Sequence, residues 1–309
     1  MYPVQMSALL DLFKGELSAI DRQFAGGLGR AQIADVGVPL GGALFALEVM
    51  RGKLALRFVL PALFASMIAT GVSWVALPNA PTYIIPSFPL SASVITWVIL
   101  AGPIFAFGSI LYVRLVRWAD KNKPRGWRRF IAPAVVLGLL GIVSVRFPEI
   151  LGNGKDLSQL LFSDQIGARL LLALLLLKPL ATIMCMRSGV PGGLFTPSLT
   201  FGALLGAALG HVWSTLWPGV PAGFFALLGA GAVLSATTQG PISSIVLVME
   251  LTGRDRSFIF PLILIAGLST LIARSIDHRS IYDARLSDEQ VALRQKLREQ
   301  EPNEIGVPQ

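Results

Sequence analysis

Residues 187–210, RSGVPGGLFTPSLTFGALLGAALG, concentrate what is needed to bind an ion without a charged side chain. Gly189, Gly192 and Gly193 bracket a turn with Pro191, and the apolar run after it predicts a helix starting near Leu194. Glycine lets backbone N–H groups approach an ion with no side chain in the way. A helix N-terminus adds unpaired donors and a partial positive charge. Together these make an anion site at membrane depth without a buried lysine, which would hold a small anion too tightly for release. The same glycines also read as a close helix-packing face. Two carboxylates, Glu48 and Glu250, stand at the ends of apolar runs. A carboxylate in hydrocarbon is costly unless it is paired or near water, so each is either a helix-end group facing a polar loop or a member of an ion path. His211 and His278 are too few and too far apart for a metal site. No nucleophile–His–acid set and no phosphate loop occurs, so neither an enzyme nor a metal or organic cofactor is expected.

The elements that must position these groups are set by composition. Of 309 residues, 53% are hydrophobic and 14% charged, against about 25% charged in an average soluble domain. No Asp, Glu, Lys or Arg occurs from residue 58 to 113, nor from 188 to 249. Each stretch far exceeds the roughly 20 apolar residues that cross a bilayer. The chain therefore reads as an all-α, multi-pass membrane protein. A cytosolic enzyme, a nucleic-acid module and a secreted disulfide scaffold are excluded. The single Cys185 cannot close an intrachain disulfide. The net charge of +8 sits largely in short loops, where it reads as anchoring and topology.

Length and punctuation predict buried segments at 39–50, 57–77, 91–118, 130–147, 166–186, 192–217, 222–237, 241–251 and 257–275, with a loop and a short apolar piece at 148–165. Several are too short or too broken by Gly and Pro to be simple rods. Broken helices are tolerated in a bilayer where they line a cavity. Residues 1–35 are mixed and amphipathic, with no evident signal peptide. The basic run between Arg114 and Arg129 places loop 117–129 in the cytoplasm; a lipid-headgroup site is its sharper alternative. The charged tail 277–309 is likewise cytoplasmic.

The chain repeats itself. PLGGALFALE (39–48) matches PISSIVLVME (241–250): a Pro, a small pair, an apolar run, then Glu nine residues after the Pro. RFVLPALFASMIAT (57–70) resembles SFIFPLILIAGLSTLIA (257–273), with Pro61 against Pro261. Two matches in the same order indicate a duplicated fold. The second copy has about 150 residues of membrane text before its marker and the first only 36, so the first repeat is expected to be incomplete.

On these residues the chain resembles the CLC chloride channel and transporter family. GGLFTP, preceded by SGVPGG, resembles its GxFxP signature; PLGGALFALE its PLAGxLFxxE helix; PEILGNG the loop before its later helices; QGPISSIVLVMELTG its penultimate helix; and IYDARL (281–286) its Tyr-containing segment. The resemblance spans roughly residues 36–287. It implies an all-α polytopic fold with an inverted repeat, with residues 36–276 as the transmembrane domain. It further implies a voltage-gated chloride channel or chloride transport protein of the cell membrane, working as a homodimer among membrane lipid, with chloride as its partner and no nucleic acid. The backbone amides of Leu194 and Phe195 would coordinate chloride, Gly193 would permit the approach, and the Tyr282 hydroxyl would donate to the same ion. Without the resemblance Tyr282 reads as an interface aromatic.

The departures also carry expectations. The family's GSGIP and GREGP motifs are not found, and no Glu lies between Glu48 and Glu149 to replace the gating carboxylate. The position after Glu48, which resembles the internal proton-transfer glutamate of coupled members, is Val49. Proton coupling is therefore expected to be absent, and the 309 residues alone are expected to give little chloride flux. The rival readings are a non-conducting fragment and an unrelated carrier with inverted repeats.

Overall fold

The computed structural model describes residues 38–51, 56–75, 80–86, 90–253, 258–286 and 289–292. The atypical segment 1–35 and the tail from 293 lie outside the described residues. Those described form helices and connections, with no β-strand among them. In chain order they are α1 (Pro39–Phe45), a π-helical turn (Ala46–Arg51), α2 (Leu56–Ser73), α3 (Ala92–Lys121), α4 (Arg128–Ser144), a 3-10 turn (Pro148–Ile150), α5 (Lys155–Phe162), α6 (Ala168–Ser188), α7 (Phe195–Leu216), α8 (Ala222–Thr238), α9 (Pro241–Thr252), α10 (Ile259–Ile276) and a 3-10 turn (Asp283–Arg285). By length and composition α3, α6, α7 and α10 can each cross a membrane. The chain is a multi-pass membrane protein.

Two compact units emerge. The first holds residues 1–83, 242–254 and 288–309; the second holds 84–241 and 255–287. In the first unit α1 starts at Pro39, which suits a first helical turn because that position has no N–H partner to lose. Gly41 is where α1 meets α9: a Cβ there would lie 2.7 Å from the Leu247 side chain and 2.9 Å from its Cα. Ser66 of α2 donates to the Pro39 carbonyl at 2.5 Å. This contact fastens α2 to the start of α1.

The second unit is built around α8. Its sequence, AGFFALLGAGAVLSATT, is apolar on every side, and all its residues are buried, as expected of a helix with no polar face. Helix α7 packs on it antiparallel: a Cβ on Gly202 would strike the Gly229 carbonyl, and one on Gly206 the Phe225 carbonyl. The spacing of Gly202, Gly206 and Gly210 puts them on one face, where small residues let two backbones touch. On the other side Ser269 of α10 donates to the Ala232 carbonyl at 3.0 Å and Ser235 of α8 to the Ala266 carbonyl at 3.1 Å. These interhelical bonds hold α8 to α10 where water is absent.

The helices match the expected spans to within a few residues, with one difference that matters. The expected 192–217 span begins at Phe195, because residues 191–193 are irregular and Leu194 is only its cap. The two readings of the glycines thus divide. Gly202, Gly206 and Gly210 meet α8, whereas Cβ atoms on Gly192 and Gly193 would touch nothing within 4 Å.

Candidate functional site

The turn between α6 and α7 is shaped by its ends. Helix α6 closes with Gly189 at φ +93, a left-handed conformation that glycine adopts without Cβ strain. The Gly189 N–H donates to the Met186 carbonyl at 3.1 Å and the Val190 N–H to the Cys185 carbonyl at 3.3 Å, the paired bonds of a Schellman cap. The chain then runs through Val190, Pro191, Gly192 and Gly193 and re-enters a helix at Phe195. Pro197 sits in the first turn of α7, where its missing N–H costs nothing. The Leu194 carbonyl is taken twice, by the Ser198 N–H at 3.0 Å and the Ser198 hydroxyl at 2.7 Å.

The side chains of Leu194 (2% exposed) and Phe195 (9%) are anchored in the protein, while Gly192 and Gly193 are exposed. Among the described residues nothing accepts from the N–H groups of Gly193 and Leu194. The result is a helix start whose apolar side chains point into the core and whose glycine side is open. No Asp or Glu lies between Asp164 and Glu250 to fill it.

Tyr282 belongs to the same unit. Its ring is buried, and it leads into the 3-10 turn Asp283–Arg285. Ser280 fixes that turn: its hydroxyl donates to the Asp283 carboxylate at 2.8 Å and accepts from the Asp283 N–H at 3.1 Å. The Ile281 N–H donates to the Thr237 carbonyl at 2.7 Å, which ties the segment to the C-terminal end of α8. Since α7 and α8 are antiparallel, that end lies beside the start of α7. The Tyr282 segment and the start of α7 therefore lie at the same end of the α7–α8 pair.

Glu48 and Glu250 lie in the first unit, at helix starts. Glu250 of α9 accepts from the N–H groups of Leu40 (3.0 Å) and Gly41 (2.6 Å), the first amides of α1. Glu48, in the π-helical turn after α1, accepts from those of Ile242 (3.2 Å) and Ser243 (2.6 Å), the first amides of α9. Each repeat caps the other, through equivalent positions. A carboxylate accepting from two amides at a helix N-terminus is favourable in charge and in hydrogen bonding.

The sequence pattern of the family described as Voltage gated chloride channel matches residues 33–274. The chain belongs to this family. Over 291 residues it is 30% identical to the H(+)/Cl(-) exchange transporter ClcA of Citrobacter koseri, covering 90% of this chain and 61% of that protein. Over 261 residues it is 29% identical to the ClcA of Klebsiella pneumoniae, covering 80% of this chain and 54% of that one. The chain thus spans somewhat over half the length of these relatives. A slow cyanobacterial Cl-/H+ antiporter has the same fold, with TM-score 0.72 at 21% identity over 92% of this chain and 67% of that one. So does a CLC-type fluoride/proton antiporter, with TM-score 0.65 at 24% identity over 86% and 63%. Membership overturns the alternative of an unrelated carrier. The relatives carry transporter names, in keeping with a chain that is not an enzyme.

Sequence reasoning passed over one residue that supports this CLC turn. Lys178 is 3% exposed within α6. Its ammonium donates to the carbonyls of Ile150 (2.8 Å), Leu151 (2.8 Å) and Gly152 (3.1 Å), with Glu149 at 3.4 Å. The same PEILGNG loop is held from α7, where the Thr200 hydroxyl donates to the Gly154 carbonyl at 3.1 Å and pairs with Ser158 at 2.9 Å. Gly154 has φ +100, and a Cβ there would strike Thr200. One loop thus clamps the helix entering the turn and the helix leaving it. The signal was a lone cation inside an apolar run, which is a site by default in a membrane segment.

Proposed function

We propose that this chain carries part of a chloride path in a CLC-type transport subunit, with the ion held by the amides of Leu194 and Phe195 and by the Tyr282 hydroxyl. The observation that supports this reading best is the start of α7: buried side chains, open glycines, and no Asp or Glu within the flanking sequence from 165 to 249. A dehydrated anion needs several convergent donors, because the protein must replace its hydration shell. Main-chain N–H groups suit the task, since they attract without the permanent charge that would slow release. Gly193 serves by leaving the approach clear. Val49 at the position of the internal proton-transfer glutamate favours uncoupled movement of the anion over exchange for protons. The subunit pairs with a second copy of itself in the membrane, where α2 presents the exposed apolar stripe Leu60, Phe64, Met67.

Calorimetry on the purified chain tests the site. Chloride is expected to bind, Leu194→Pro to abolish binding by removing one donor, and Tyr282→Phe to weaken it. Unchanged chloride affinity in Leu194→Pro would overturn the assignment. Chloride efflux from loaded liposomes, recorded with and without a proton gradient, tests the uncoupled mode. Efflux that drives stoichiometric proton movement would contradict it.

A further inference from the structure

We infer that the second unit carries a binding pocket for the headgroup of an anionic membrane phospholipid, where the end of α3, the start of α4 and the end of α6 meet. A cavity of about 750 Å³ opens there. Its rim is basic, with Lys123, Arg125, Arg128 and Arg187 and no carboxylate in the lining. Lys123 is engaged with Asp120 at 2.6 Å. Arg125, Arg128 and Arg187 have no ion pair among the described residues. Three guanidinium groups line one cavity, and arginine can hold a phosphate through two parallel N–H bonds.

The order of chemistry along the cavity points to a lipid. Beside the basic rim stand two exposed indoles, Trp127 and Trp118, the latter under the Arg187 guanidinium at 4.9 Å. Tryptophan favours the headgroup level of a bilayer. Apart from Asn122, Pro124 and Ser188, the remaining wall is apolar, from Ala132 and Val136 of α4 and Met184 of α6. Helix α4 continues this surface: it has no buried residue and exposes Phe130, Ile131 and Val135. Basic rim, aromatic belt and apolar wall repeat the sequence phosphate, glycerol backbone and acyl chain. The basic loop also marks this as the cytoplasmic side, where anionic lipids give the leaflet its negative surface potential. A soluble phosphate would use the rim and leave the apolar wall without a role.

The test is competition for the purified chain between phosphatidylglycerol and phosphatidylcholine, read as lipid retained in native mass spectra. Phosphatidylglycerol is expected to be preferred by about tenfold. Arg125→Gln with Arg128→Gln should remove most of that preference. Lys155→Gln with Arg169→Gln, an equal charge loss at the exposed starts of α5 and α6, should change it less than twofold. Arg128→Lys, which keeps the charge, should retain part of it and shows that the chain is folded. Equal loss in both double variants would mean diffuse surface charge and overturn the pocket. Displacement by millimolar glycerol phosphate or inorganic phosphate would assign the rim to a soluble phosphate and overturn the lipid. Stronger displacement by chloride than by gluconate at equal ionic strength would assign it to the conducted anion, and overturn it too.

Discussion

Three helix starts use the same physics to opposite ends. In the first unit, the amides opening α1 and α9 are filled by Glu250 and Glu48, carboxylates tethered to the chain. In the second unit, the start of α7 has a glycine turn in front of it and no acid nearby in sequence. A helix N-terminus attracts negative charge in either case. Where the chain supplies the charge, the end becomes a permanent clasp between repeats. Where it does not, the helix start keeps no tethered charge, which is what the proposed anion site requires. The difference lies in the neighbouring residues, not in the helix.

The largest effects are expected at the two clasps. Glu48→Gln with Glu250→Gln should cost about 4 kcal/mol together, since charge-assisted bonds to helix ends are lost. Midpoints of detergent-induced unfolding check this. Glu250→Ala should go further and turn the α1 start into an anion site, with chloride raising the midpoint as any ligand of the folded state does. Indifference of that variant to chloride would show that an empty helix start is not enough, and that the α7 turn needs its glycines.

Lys178→Met should cost about 3 kcal/mol, because the buried Ile150 carbonyl and its neighbours Leu151 and Gly152 lose a charged donor. Lys178→Arg should recover part of the loss. If both variants unfold like the parent, the loop 149–152 is held by its own turns and not by the ammonium.

Gly41→Ala forces a methyl against Leu247 at van der Waals overlap and should cost about 2 kcal/mol by overpacking. Gly71→Ala, where a Cβ meets nothing within 4 Å, is the matched control and should be neutral or better. Equal effects would mean that the contact between α1 and α9 relaxes easily.

The smallest change in stability is also the sharpest test. Gly193→Asp places a tethered carboxylate at the α7 start and so imitates the first unit. It should raise stability by about 0.5 kcal/mol through the helix dipole and lower chloride affinity by about tenfold or more. Calorimetry and unfolding on the same preparation read both. A destabilised variant with intact chloride binding would separate the anion from this turn.

Much of this was legible in the sequence, for identifiable reasons. Long uncharged runs fix membrane insertion, since burying a charge in hydrocarbon is expensive wherever it falls. Pro, Gly and charge punctuation placed the helices, because those residues act on their own local backbone. The turn at 189–194 was readable for the same reason: a left-handed Gly189, a glycine pair and a Pro in the next helical turn are local devices. The matching Pro-to-Glu spacing of 39–48 and 241–250 exposed the repeat.

The tertiary structure alone decided what those groups touch. Glu48 and Glu250 read as expensive carboxylates at helix ends; their acceptance of each other's helix amides, some 200 residues away, has no trace in either local window. Lys178 was visible as a lone cation, but its ring of carbonyls depends on how α6 crosses the 148–154 loop. The glycines of 187–210 divide into turn and packing face only once α8 lies against Gly202 and Gly206. Periodicity and composition act through neighbours a few residues apart and so specify elements. Hydrogen-bond partners distant in sequence are chosen by packing, and only the folded chain contains that information.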